Sequence, residues 1–260
     1  MLILLPPSEG KAPGGDGPPL DVDALAHPRL GPVRRRVLRA LVALCKGPQE
    51  TARQVLGLSP GQADAVVRNR TLRAAPTLSA ADLYTGVLYD NLGLGALDRE
   101  ARERAASSIL IFSGLWGALR IDDRVPPYRL AMGVSLPPLG ALAAVWRPAL
   151  SRHLRAEADD RLIVDMRSAP YAAAWRPAGP TVAVRVVRER VAGGVVERSV
   201  VSHMAKATRG VIARDLLVSG AEPRSPSQLA KVLSDLGHVV ELEEPARADG
   251  TWTAGIVVTE

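Results

Sequence analysis

The residues able to do chemistry fall into short polar runs that follow apolar ones. The densest lies in Ile109 to Gly133, ILIFSGLWGALRIDDRVPPYRLAMG. Its first four residues, Ile109 to Phe112, suit a buried strand. Ser113 and Gly114 follow, a small hydroxyl and a residue without Cβ, where a strand can break and a ligand or a second backbone can come close. Arg120, Asp122, Asp123, Arg124, Tyr128 and Arg129 then lie together in sequence, stiffened by Pro126-Pro127. A strand end followed by a rigid loop of mixed charge is where α/β proteins commonly hold ligands, although a salt-bridged surface turn has the same spacing. A second run, Ser8-Glu9-Gly10-Lys11, follows the apolar Leu2 to Leu5 and Pro6-Pro7. It lacks the GxxxxGK[ST] spacing, Lys11 being followed by Ala12, so a Walker-type nucleotide site is not expected. A third set, Lys206, Arg209 and Arg214, falls on roughly one broad face of a helix expected over 204–217. Three cations on one face need an anion or a carboxylate opposite them, and Asp123 is the candidate within the chain.

The elements that must position these runs can be read from periodicity. LILL at 2–5, ILIF at 109–112 and LIVDM at 162–166 read as buried strands. Val33 to Cys45 reads as a helix with Val33, Val37, Leu41 and Leu44 inward. Arg34, Arg35, Arg39 and Lys46 then form a basic face, either solvated or tracking phosphates. Thr51 to Arg70 reads as two short helices around LGLSPG. Gly57 ends the first, and Ser59, Pro60 and Gln62 form a capping box for the second. Such a turn is either a plain helix corner or a hairpin offering N–H groups to a phosphate, with Arg53, Arg68 and Arg70 beside it. Pro138 to Leu154 is a helix kinked at Pro148, and Ser225 to Leu236 a capped one. Stretches 181–188 and 195–202 alternate as a hairpin across Gly193-Gly194, with HVVEL and WTAGIVV as closing strands at a sheet edge.

SGLWGALRIDDRVPPYRLAMG resembles the signature of the peroxide stress protein YaaA family, SGLYG.LRP.D...PYRLEMG. The family's other blocks follow in order: LLPPSEGK, LYTGVLYDNL, LIVDMRSAPY and KATRGVIARDLL. The resemblance implies one compact domain over 1–260, mixed α/β or α+β in class, with a helix-hairpin-helix-like subregion at 49–70 beside a positively charged cleft. It also implies a part in limiting damage under peroxide stress. It raises Ser8 and Lys11 above an ordinary surface loop, and places Tyr84 and Gly86 in a signature piece. The chain departs from the family pattern at Pro170, which stands before Tyr171 where a glutamate is usual; Asp165 is a candidate substitute.

The 260 residues are 47% apolar with a single Phe, so Leu, Val and Ala must fill a globular core. The net charge of +6 favours an anionic partner, nucleic acid or a phosphorylated ligand, although heavy arginine usage throughout would give the same charge without one. Cys45 stands alone, which excludes a disulfide framework and fits core packing in a reducing interior. His27, His153, His203 and His238 are scattered without metal-site spacing, so no tightly bound metal and no cofactor are expected. No run is long enough for a signal peptide or a membrane span, and a cytoplasmic location is expected.

Two functions fit. In the first the chain binds duplex or branched DNA, with Arg53, Arg68, Arg70, Lys206, Arg209 and Arg214 on phosphates and an affinity that falls steeply with salt. In the second it is an enzyme acting on a nucleobase or nucleoside, a nucleotide-like anionic small molecule. The PxSxxK run from Pro6 to Lys11 resembles a signature of enzymes that modify deazaguanine in transfer RNA. Asp123 is then the acid/base group, Arg129 its orienting partner, Tyr84 or Trp116 a stacking surface, and Lys11 or Lys206 the anion anchor. Ser8, Gly86, Ser113, Gly114, Arg120, Tyr128 and Arg209 contribute ligand contacts. An enclosed pocket would favour the enzyme and an open cationic groove would favour DNA.

Overall fold

A computed structural model describes residues 1–192, 195–199, 202–247 and 250–259. The leading strand β1 (Leu2–Leu5) is buried along its whole length and sits inside the sheet. On one side it pairs in parallel with β2 (Ile109–Ser113), Ile3 opposite Ile109, and β2 continues into antiparallel β3 (Gly117–Leu119). On its other side it pairs in parallel with β4 (Ile163–Asp165), Leu4 opposite Asp165. β4 pairs in parallel with the start of β5 (Thr181–Ala192). Beyond position 187 the same edge of β5 takes up antiparallel β6 (Val195–Ser199). Parallel β8 (Trp252–Thr259) lies along the opposite edge of β5, and antiparallel β7 (Val239–Glu243) closes the sheet. The order is β7-β8-β5-β4-β1-β2-β3, mostly parallel, within one compact mixed α/β domain.

β1 is therefore the place where strand order reverses, its neighbours lying far apart in sequence on either side. A crevice opens at the carboxyl ends of strands at such a point, and ligands of open α/β sheets bind there. The loop that leaves β1 is the Ser8–Lys11 run, and Ser113 is the last residue of β2.

The expected strands form, and all five residues of β2 are buried. β7 is at the edge as expected, whereas β8 lies inside, between β7 and β5. The two strands expected as a hairpin pair antiparallel, and their tip, Gly193-Gly194, lies outside the described residues. Helix α1 (Gly31–Lys46) corrects the expected inward face. Arg34, Val37, Leu38, Leu41, Val42 and Cys45 are buried, while Val33 and Leu44 are only partly so. The stripe is thus rotated by about one residue, and Arg34 belongs to the core. It donates from Nε to the Trp116 carbonyl (3.0 Å) and from Nη2 to that of Ala118 (2.8 Å). Periodicity alone missed this because an arginine can be buried when backbone carbonyls accept from part of its fork, here Nε and Nη2.

In the 49–70 subregion, α2 (Gln49–Val55) and α3 (Asp64–Arg70) are joined through Gly57, in the left-handed region at φ 64°, and a 3-10 turn at Pro60–Gln62. The Ser59/Gln62 capping box is present. The flanking arginines have local partners: Arg53 pairs with Glu50 and the Leu58 carbonyl, Arg68 with Asp64, and Arg70 with the Cys45 carbonyl. What forms is a helix corner whose cations hold the corner itself, and a helix-hairpin-helix is not established by it.

The remaining labelled helices are α4 (Val87–Leu92), α5 (Arg99–Ser108), α6 (Leu142–His153, with Pro148 inside), α7 (Ser202–Ser219) and α8 (Pro226–Asp235). α7 crosses α4 closely at Gly210, where a Cβ would collide with the Leu88 carbonyl and approach Asn91 Cβ at 2.8 Å. Among the described residues no helix is long and apolar enough to cross a membrane.

Candidate functional site

The crevice at the carboxyl end of β1 is built by four segments. After β1, the Pro6-Pro7 turn leads into a loop fixed by backbone bonds to the segment before α4: Ala12 N–H donates to the Leu83 carbonyl (2.9 Å), and Lys11 and Tyr84 form an isolated antiparallel bridge. The Ser8 hydroxyl donates to the Gly10 carbonyl, so it shapes the loop rather than facing a ligand. The Lys11 ammonium donates to the Ser8 carbonyl (2.7 Å) and sits 4.5 Å from the Tyr128 ring centre and 5.4 Å from that of Tyr84. Burial, with Arg129 as the next largest cause, lowers its pKa from 10.5 to about 7.

Ser113 anchors the hydroxyls behind Lys11. Its Oγ accepts from the Leu115 (3.2 Å) and Trp116 (3.0 Å) amides, so its own proton goes to Tyr128 Oη at 2.6 Å. Tyr128 Oη also shares a hydrogen bond with Tyr84 Oη (2.9 Å), so the three hydroxyls form a buried chain behind Lys11. Burial raises the pKa of both phenols, which stay protonated and remain donors at neutral pH. Gly114 is required because a Cβ there would lie 2.6 Å from the Leu130 carbonyl. The feature that comes close to it is a second backbone, that of Leu130–Met132.

Arg129 forms the outer wall. Its backbone is clamped by the Asn69 side chain, which donates to its carbonyl (2.8 Å) and accepts from its N–H (3.0 Å). Its guanidinium pairs with Glu9 at 2.8 Å. Tyr171, whose hydroxyl accepts from Met132 N–H (3.4 Å), completes the enclosure. The innermost cavity is about 20 Å³, room for about one water. It opens past Glu9 and Arg129 into a cleft of about 190 Å³ bounded by Gln62, Asp64 and Arg68 of the helix corner.

Ser8, Lys11, Tyr128, Arg129 and Arg68 thus line the site, with Ser113, Gly114 and Tyr84 packed behind it, and the other expected site residues lie elsewhere. Asp123 lies near the opposite end of the sheet. Its carboxylate accepts from the Ala26 (2.6 Å) and Arg120 (2.8 Å) amides, so it neither orients on Arg129 nor faces the cations of α7. Arg120 belongs with it, bonding to the Ser107 and Ile109 carbonyls and pairing with Glu157 at 2.5 Å. Trp116 is fully buried, edge-on to Tyr128, and offers no stacking surface. Gly86 caps α4 at φ 95°. Arg214 caps the far end of that helix through the Leu92 and Gly93 carbonyls. Arg209 is part-buried on the Val184 carbonyl (3.1 Å), and Lys206 is exposed. Pro170 lies in the single-turn helix Ala169–Ala172, and Asp165 is held by Arg167 at 2.7 Å, so the carboxylates at the cleft are those of Glu9 and Asp64.

A second concavity, of about 540 Å³, runs between α1 and the end of α3. Arg39, Lys46, Arg70 and Arg73 line it together with Val42 and Ala43. It continues, sharing Arg39 and Arg73, into a groove of about 350 Å³ that adds Arg35, paired with Asp23. Among the described residues no carboxylate pairs with Arg39, Lys46 or Arg73. The basic face of α1 pointed to part of this groove; Arg73 lies beyond the helical pattern and carried no signal of its own.

The family model for "Peroxide stress protein YaaA" matches residues 1–242. The chain belongs to the peroxide stress protein YaaA family. A UPF0246 protein of Streptomyces coelicolor is 50% identical over all 260 residues and 99% of its own length. A UPF0246 protein of Corynebacterium efficiens is 40% identical over 94% of this chain and 96% of its own. An uncharacterized protein of Campylobacter jejuni is 27% identical over 82% of each. In YaaA-family terms, the first block supplies Lys11, the LYTGVLYDNL block Tyr84, and the central signature Ser113, Tyr128 and Arg129. The KATRG block supplies the helix-crossing glycine, Gly210.

Proposed function

We propose that this protein binds DNA through the groove between α1 and α3, in a peroxide-stress role that fits its family's name. The observation that carries the proposal is the gathering of Arg39, Lys46, Arg70 and Arg73 around one open concavity without a carboxylate opposite the first, second and fourth. Like charges left facing each other are stabilised by a polyanion that replaces its counterions with them. No base-reading arrangement accompanies them, so binding should depend on salt far more than on sequence. The test is fluorescence anisotropy with duplex and branched oligonucleotides at several salt concentrations. Replacing Arg39 and Arg73 together by Gln should reduce the slope of log K against log salt by about 2, at 0.9 per phosphate contact. Absence of salt-sensitive binding by the intact protein would end the proposal.

The convergence on Lys11 favours a second reading alongside it, an enzymatic site for a nucleobase or nucleoside. Glu9 is 74% exposed on its side chain, so an entering anion can displace it from Arg129 and widen the cleft. A nucleotide bound there to the folded state should raise the melting temperature. A set of deoxynucleoside monophosphates that leaves melting unchanged would remove this reading.

A further inference from the structure

The chain uses arginine almost wherever it needs a cation. Of its 33 lysines and arginines only Lys11, Lys46, Lys206 and Lys231 are lysine. Arginine is permanently charged and forks onto anions, whereas a lysine can shed its proton and become a nucleophile. Lys11 occupies the place where that difference matters most. Among the described residues it has no carboxylate partner, because the adjacent Glu9 is taken by Arg129, and its ammonium bonds to the Ser8 carbonyl. Its amine rests against two aromatic rings at the mouth of the innermost cavity, beside the Ser113–Tyr128–Tyr84 hydroxyl chain. Arg129 and Arg68 stand around the cleft outside, each held by an exposed carboxylate that a phosphate can replace. An anion anchor alone would be better served by another arginine.

We propose that Lys11 is a nucleophile that forms an imine with an aldehyde carried next to a phosphate. This specifies the reaction of the second reading above and rests on it. The nitrogen lone pair attacks the carbonyl carbon and the carbonyl π pair moves to oxygen. A proton passes from nitrogen to that oxygen, giving a carbinolamine. The nitrogen lone pair then forms C=N as the hydroxyl leaves with the second amine proton, so amine and aldehyde yield imine and water. Tyr171, which lines the innermost cavity and whose hydroxyl accepts from Met132 N–H, has its own proton to lend to the leaving oxygen and to recover from nitrogen. Burial and Arg129 favour the free amine; Glu9 opposes them, Arg68 adds to them, and the surrounding phenols are neutral.

Two sources offer an aldehyde beside a phosphate: the opened deoxyribose of an abasic site in DNA, and a free triose phosphate. The test incubates the full chain at pH 7 with cyanoborohydride and either an oligonucleotide bearing one abasic site or glyceraldehyde 3-phosphate, then maps adducts by mass spectrometry. At that pH about half of the Lys11 amine is free against about one part in 3,000 for an ordinary lysine, so Lys11 should be labelled at least about tenfold faster than Lys46, Lys206 or Lys231. Lys11→Arg should abolish that adduct. Glu9→Gln, which leaves Lys11 in place and frees Arg129, should accelerate it and guards against a folding defect in the first variant. Trapping with DNA alone or triose phosphate alone identifies the source, and either supports the proposal. Equal labelling of all four lysines, or no adduct with either probe, overturns it. Nucleotide-induced stabilisation without trapping would overturn the imine while leaving the nucleotide reading intact.

Discussion

Replacing Lys11 by Met keeps the aliphatic stem and removes the ammonium, so it measures what holding that charge costs the fold. In the folded protein the amine titrates at about 7, against 10.5 for an ordinary lysine, chiefly through burial. At ~1.4 kcal/mol per pH unit the full gap corresponds to ~5 kcal/mol. Two things reduce it. The amine is only part-buried, so water screens some of the penalty. The Tyr84 and Tyr128 rings also attract the charged form, each by ~0.5–1 kcal/mol. The figure of ~5 kcal/mol is therefore an upper bound. Because the folded-state pKa lies below the unfolded one, the penalty is complete below pH 7 and is relieved as pH rises from 7 towards 10.5. Lys11→Met should therefore be more stable than the parent at pH 6, by at most ~5 kcal/mol, and by less than half as much at pH 9. Paired urea titrations at the two pH values read this directly, since every other titrating group cancels in the difference between variants. An advantage that stays constant between pH 6 and 9, or a variant less stable at pH 6, would refute the account of Lys11 as a desolvated amine.

Two further substitutions test the architecture around the site. Gly210→Ala drives a methyl into the Leu88 carbonyl, which belongs to backbone and cannot rotate away, and should cost ~1–3 kcal/mol, seen as a melting temperature lowered by several degrees. Arg34→Leu strips the Trp116 and Ala118 carbonyls of their buried donor and should cost ~2–4 kcal/mol in urea titrations, although on a helical wheel it looks like a harmless apolar swap.

The parts of the fold that periodicity controls were legible. Leu2–Leu5 and Ile109–Phe112 are apolar throughout because both faces of a parallel sheet are covered, and such runs have few alternative readings. Helix α8 was marked by Ser225 and Pro226 at its start, and Ser225 does accept from the Gln228 amide. The site was legible in part. Lys11, Ser113, Tyr128 and Arg129 stand at strand ends or in stiff loops, which any α/β sheet brings to one rim. Asp123 went astray because its loop runs the length of the sheet: residues a few positions apart in sequence, Asp123 and Tyr128, belong to different ends. Arg53, Arg70 and Arg214 looked like free cations because a sequence does not show which carbonyls lie within reach of a long side chain. Arg34 was misplaced for the same reason.

Helix α3 has three successive residues facing three different tasks. Arg68 borders the lysine cleft, Asn69 grips the backbone of Arg129, and Arg70 lines the groove against α1. A segment of seven residues cannot tilt towards one of these neighbours without withdrawing from another. Any displacement of α3 would therefore move all three contacts together.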